Sequence, residues 1–216
     1  MLVGAGNGRR GLVQVTLVPL LVAALAGSLA GCSEAADDDA QAKTNATASA
    51  SATAAGAGAG AKSGGSIGAD GSACELPITF DMAEHWTAEA VDEPPRQGPV
   101  ALVCEVDAKP AGHIGFLRVW TGDPGTDDAR TVLEAFMAAE TGASKARYST
   151  FRTGPLTGVE VKYAYKTEFD DEAKTERALA VTTPRGPVVV HLGGLDTEEH
   201  EAMLPAYELA KRTLKA

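Results

Sequence analysis

The chain lacks any residue set that spells out a reaction. Its four histidines, His85, His113, His191 and His200, form no His-x-x-x-His pair, so no single helix offers a zinc site. There is no Gly-x-Ser-x-Gly elbow. Ser63-Gly64-Gly65-Ser66 stands in a Gly/Ser stretch and Gly142-Ala143-Ser144-Lys145 follows a helical pattern instead of a strand, so neither supports a serine nucleophile. Asp170-Asp171-Glu172 lacks the alternating acids and distal Glu of a calcium loop and reads as a charged hairpin turn. Basic residues are also short, with 19 Lys and Arg against 29 Asp and Glu and a net charge of −10, which disfavours nucleic acid and anionic lipid as partners. No cofactor and no metal is expected, and catalysis is not the leading expectation. Cysteine is scarce as well: the chain has three.

One of the three carries an address. Arg9 and Arg10 precede an apolar run from Leu12 to Ala26, the order of a secretory signal. Leu29-Ala30-Gly31-Cys32 then follows, and this ending resembles the lipobox of bacterial lipoproteins. The resemblance implies cleavage after Gly31, acyl chains on Cys32 and a lipid-anchored protein on the extracytoplasmic face of the cell membrane, with membrane lipid as its first partner. Two or three acyl chains hold stably where one holds only marginally. An uncleaved spanning helix over Leu12 to Ala30 is the competing reading, and it leaves Cys32 without a reason. Arg9-Arg10 is compatible with either general secretory or twin-arginine export.

From Ser33 to Ala73 the composition is mostly Ala, Gly, Ser and Thr, with an acidic cluster at Asp37-Asp38-Asp39 and no aromatic residue, and the sequence predicts a disordered tether over 32–73. As a flexible coil it would reach about 35 Å. The folded part is expected over 74–216 as a single domain, long enough for its own core. In an oxidising compartment Cys74 and Cys104 read as a disulfide.

Within 74–216 the pattern predicts a short strand at Leu76 to Phe80 and a hairpin of Val100 to Val106 with His113 to Thr121. A helix follows the Asp123-Pro124-Gly125-Thr126 turn, with Ala129, Val132, Leu133, Phe136 and Ala139 at helical spacing. Arg147 to Arg152 reads as a strand. Val159, Val161, Tyr163 and Tyr165 alternate with Glu160, Lys162 and Lys166, a strand with one buried and one solvated face. Thr175 to Thr183 and Val188 to Leu192 continue an antiparallel meander. A closing helix starts at Asp196 with Glu199 three residues on, a capping box, and Pro205 predicts its division into a short and a longer piece.

This order of elements is similar to the PsbP/Mog1-like α/β/α sandwich, an α+β fold of antiparallel sheet flanked by helices. With the lipobox and the polar stretch it resembles small actinobacterial lipoproteins of the LpqN/LpqT type. That resemblance implies a non-catalytic module binding an envelope protein or small ligand; an envelope enzyme or metal-dependent accessory with a site assembled from several loops is the alternative. Arg118, flanked by Phe116 and Trp120 on one strand face, is the residue singled out, with Trp120, as a ligand-binding candidate. A concave site beside Arg118, His113 or His191 would favour the alternative. His200, between Glu199 and Glu201, reads as part of a solvated helix face.

Overall fold

The structure is a computed structural model that describes residues 60–216. The signal, Cys32 and the stretch up to residue 59 lie outside the described residues. Twelve elements follow in order: β1 (Ser63–Ile67), β2 (Phe80–Ala83), β3 (Thr87–Ala90), β4 (Arg96–Gln97), β5 (Val100–Asp107), β6 (Gly115–Thr121), α1 (Ala129–Ala138), β7 (Ala143–Thr153), β8 (Leu156–Tyr165), β9 (Lys174–Thr183), β10 (Gly186–Gly194) and α2 (Thr197–Thr213). A 3-10 turn, Lys109–Ala111, joins β5 to β6.

Strands β3 to β10 form one sheet in the order β3-β5-β6-β10-β9-β8-β7, with β4 also paired to β5, and every pairing is antiparallel. Helix α1 lies on one face, over β8, β9 and β10, and its Val132, Leu133, Phe136 and Met137 are buried against Val100, Leu102, Trp120, Val161 and Val189. Asp128 caps it, its side chain accepting from the Thr131 N–H at 2.8 Å. On the opposite face α2, capped by Asp196 through the Glu199 N–H, buries Met203, Ala206, Tyr207 and Ala210 with the β1–β2 hairpin against Leu117, Val119, Leu179 and Val190. The result is the expected α+β architecture with helices on both faces of an antiparallel sheet.

Strand β5 changes face midway. Leu102 and Cys104 have the same parity, yet Leu102 is buried on the α1 side and Cys104 on the α2 side. A register shift between them, the mark of a β-bulge at Val103, reverses the alternation. The bulge is what turns Cys104 towards Cys74, and the two are disulfide-bonded across 30 residues with a Cα separation of 5.9 Å.

Four expectations are corrected. The folded region begins before residue 74, because Ser63–Ile67 is a strand paired with β2 and Ile67 is 3% exposed. The glycines that suggested a loose coil serve close backbone approach: a Cβ on Gly68 would overlap the Ile78 carbonyl, and one on Gly64 would press on Glu84. The strand expected at Leu76 to Phe80 starts instead at Phe80. Strand β8 has no solvated face at its centre, since α2 covers the side bearing Glu160, which is paired with Lys211 and, more distantly, Arg177. Helix α2 is continuous through Pro205. Pro205 and Glu201, whose carbonyl loses its usual partner, both lie on the exposed side, where that carbonyl is open to solvent.

His200 is fully buried rather than solvated, and neither ring nitrogen has a partner among the described residues. It falls at the helical spacing of Met203 and Tyr207, so the stripe facing the sheet takes it in. Burial lowers its pKa to about 4, and Arg177 adds to the shift; Lys162 also lowers it, while Glu201 and Glu176 oppose. Because the folded value lies below the ordinary 6.5, the unfolded chain binds the extra proton first. Stability is therefore full above pH 6.5 and is lost progressively from there down to about pH 4, on the order of 2 to 3 kcal/mol. In urea unfolding across that pH range His200→Phe is expected to flatten this component and to equal or exceed wild-type stability at neutral pH.

A candidate binding cleft on the sheet

Helix α1 is only ten residues long and leaves part of its sheet face uncovered beyond its carboxyl end. There a cleft of about 320 Å³ opens between the helix end and the strands. Its wall on the helix side is Glu140, tied to Gln97 of β4: the Gln97 side-chain amide donates to the Glu140 carboxylate at 2.6 Å and to the Phe136 carbonyl at 3.3 Å.

Sheet order builds the floor. Arg118 lies directly across from His191 on β10 and from Glu105 on β5. Its Nε donates to Glu105 Oε1 at 2.7 Å, and its guanidinium lies 4.9 Å from the Phe116 ring centre. The terminal nitrogens of Arg118 make no hydrogen bond among the described residues. Trp120, two residues along the same strand face, also lines the cleft, packs edge-on against Phe136, and carries a buried indole N–H with no acceptor.

Beside Arg118 sits a buried polar cluster contributed by β8, β9 and β10. Glu176 Oε2 accepts from His191 Nε2 at 2.9 Å and from the Tyr163 hydroxyl at 3.0 Å, while Glu176 Oε1 faces Lys174 Nζ at 3.1 Å. Lys174 also donates to the Gly194 carbonyl at 2.7 Å. Burial pushes the Glu176 carboxyl up, but the hydrogen bond and charge of His191, followed by those of Lys174, outweigh it and hold the pKa at about 2. Burial pushes the Tyr163 hydroxyl well above its ordinary value, with Glu176 adding to the shift, so it remains a donor.

Gly193 completes the cleft by having no side chain. A Cβ there would lie 3.3 Å from the His191 ring, 3.5 Å from Arg118 Nη1 and 3.5 Å from Glu176 Oε1, which places the missing side chain's volume among the three polar groups.

The structure thus brings Arg118 and Trp120 together with His191. His113 is elsewhere, its Nδ1 3.3 Å from Glu199 at the start of α2. Gln97, Glu140, Tyr163, Lys174 and Glu176 were not singled out in the sequence. Tyr163 and Glu176 hide in ordinary strand alternation, and only the pairing of β8 with β9, which sets Tyr163 opposite Glu176, would have joined them.

Replacing Glu176 by Gln leaves Lys174 without its counter-charge, and Tyr163 and His191 without the carboxylate they share, in a buried site, and a loss of about 3 kcal/mol is expected at neutral pH in urea unfolding. The acid limb carries the sign: with a folded pKa of about 2, wild type loses the Glu176 contribution as pH falls from 4.5 towards 2. Glu176→Gln should show no such component in that window.

Among the described residues no helix is long and apolar enough to cross a membrane. No curated protein matches the chain. The solution structure of a cyanobacterial PsbP, CyanoP from Synechocystis sp. PCC 6803, is similar to it with a TM-score of 0.47 and 12% sequence identity, covering 70% of this chain and 98% of that one. A family model described as "uncharacterised lipoprotein" matches residues 43–214, and the chain belongs to that lipoprotein family.

Proposed function

We propose that the chain is exported, cleaved after Gly31, lipidated at Cys32 and held on the extracytoplasmic face of the cell membrane, where its cleft binds a small acceptor-rich anion such as a carboxylate or phosphate. The narrower kinship we propose is with the LpqN/LpqT type of lipoprotein.

The observation that carries the binding reading is a set of uncommitted donors around an open space. Arg118 keeps both terminal nitrogens free among the described residues, and Lys174 has one of its three N–H bonds unspent on Glu176 and Gly194. The three nearby acids are already engaged, Glu176 by three donors and Glu105 by Arg118. Glu140 is the third, turned to Gln97. A planar guanidinium with two free N–H faces suits carboxylate and phosphate oxygens.

Binding rather than catalysis is favoured by how the acid–base groups are spent. The Tyr163 hydroxyl donates to Glu176, and His191 Nε2 lies 2.9 Å from Glu176 and 3.0 Å from that hydroxyl, so the three groups engage one another rather than a nucleophile.

Calorimetric titration of the full-length lipidated protein in nanodiscs with acetate and with inorganic phosphate tests this reading. Binding of at least one anion is expected, weakened 10- to 100-fold in Arg118→Gln, in line with a lost charge-assisted contact, and abolished in Gly193→Val, which fills the cleft. Thermal melts check that both variants are folded. No heat from wild type, or equal binding by Gly193→Val, overturns it. For the anchor, mass spectrometry of the mature N-terminus is expected to show a diacylglyceryl-modified Cys32; an intact Met1 overturns it.

A further inference from the structure

The cleft does not end at Arg118. A second concavity of about 210 Å³ shares Arg118, Lys174 and Glu176 with it and continues past Phe116 and Gly193 to Ile114 and Leu195. Large apolar side chains exposed to solvent are few among the described residues: Ile114 is 58% exposed, Leu195 60% and Phe169 89%. Two of the three stand together here. The Leu195 N–H donates to the Ile114 carbonyl at 2.9 Å, so one backbone bond fixes them as neighbours at the mouth of the groove.

Between the polar end and this apolar end the β10 side of the floor is backbone at Gly193, which pairs with Phe116 of β6. A Cβ on Gly193 would enter the space among Arg118, His191 and Glu176, so this position stays open as glycine. Gly115 and Gly194 serve the other side of the sheet, where a Cβ on either would meet Met203 of α2. The groove has donors at one end, the Phe116 ring on its β6 side and exposed aliphatic carbon at the other end.

Taking the anion-binding reading as its premise, we infer that the ligand is an amphipathic anion with a single apolar chain: its carboxylate or phosphate head is held by Arg118 and Lys174 and its chain runs past Gly193 and Phe116 onto Ile114 and Leu195. Charge decides the direction. The free N–H donors of Arg118 and Lys174 cluster at the inner end, whereas Ile114 and Leu195 offer an anion nothing but hydrocarbon. The apolar pair in turn gains from cover, because exposed aliphatic surface is removed from water when a chain lies on it. A head group alone would leave that end unused.

Acetate and octanoate share one head group and differ only in the chain, so their affinity ratio reports the apolar end. Each is titrated calorimetrically into full-length lipidated protein in nanodiscs, with nanodiscs carrying Gly193→Val as the blank for partition of octanoate into lipid. Octanoate is expected to bind at least tenfold more tightly than acetate, and the ratio is expected to fall to about one in the Ile114→Ser/Leu195→Ser double variant, whose substitutions lie at exposed positions and leave the fold intact in thermal melts. Equal affinities in wild type, or an octanoate advantage that survives the double substitution, overturn the inference while leaving the anion site standing. Absence of binding by both overturns the inference, and the anion site falls with it when inorganic phosphate is silent too.

Discussion

Strand β10 is covered on both faces, and this constraint governs everything around the cleft. Val188, Val190 and Leu192 point into the α2 side and Val189 into the α1 side, so the next residue on the α1 side, His191, is buried at the base of the cleft, 6% exposed. A polar ring in such a place needs a partner. It finds one in Glu176 on the neighbouring strand, and a carboxylate buried there needs more than one donor, which brings in Tyr163 and Lys174. The cluster follows from one histidine in the middle of a valine strand.

The same constraint separates what can be read along the chain from what cannot. Arg118 and Trp120 were legible because strand alternation puts residues 116, 118 and 120 on one face, and a cation between two aromatics stands out against a hydrophobic run. The disulfide was legible from compartment and cysteine count, though the bulge at Val103 that makes it geometrically possible was not, since Leu102 and Cys104 keep the same parity in sequence. Tyr163, Lys174 and Glu176 were invisible for a different reason. They meet through the order β6-β10-β9-β8, a fact about neighbours in space that no local pattern carries.

Where the reading failed, it failed by judging residues from their immediate neighbours. Glu199 and Glu201 made His200 look solvated, yet at 100° per residue two flanking acids say little about the position between them; Met203 and Tyr207, three and seven residues on, say more. Glycine-rich composition over 63–68 suggested a coil because glycine raises the entropy of the unfolded chain. In β1 the same residue type is used for what it lacks, letting one backbone lie against another. Glycine serves the cleft in a similar way at 193, where a side chain would enter the space among Arg118, His191 and Glu176.

The two faces of the sheet divide the work. The chain comes into the domain on the α2 side, where the Ala61 carbonyl accepts from Arg212 near the end of that helix, and β1 continues along the β1–β2 hairpin. The cleft opens on the opposite, α1 side. The first described residues and the cleft thus lie on opposite faces of the sheet. The shortness of α1 is what keeps the cleft open: a few more turns would have covered Arg118, Trp120 and His191, and the donors that now stand open would have been closed over by helix.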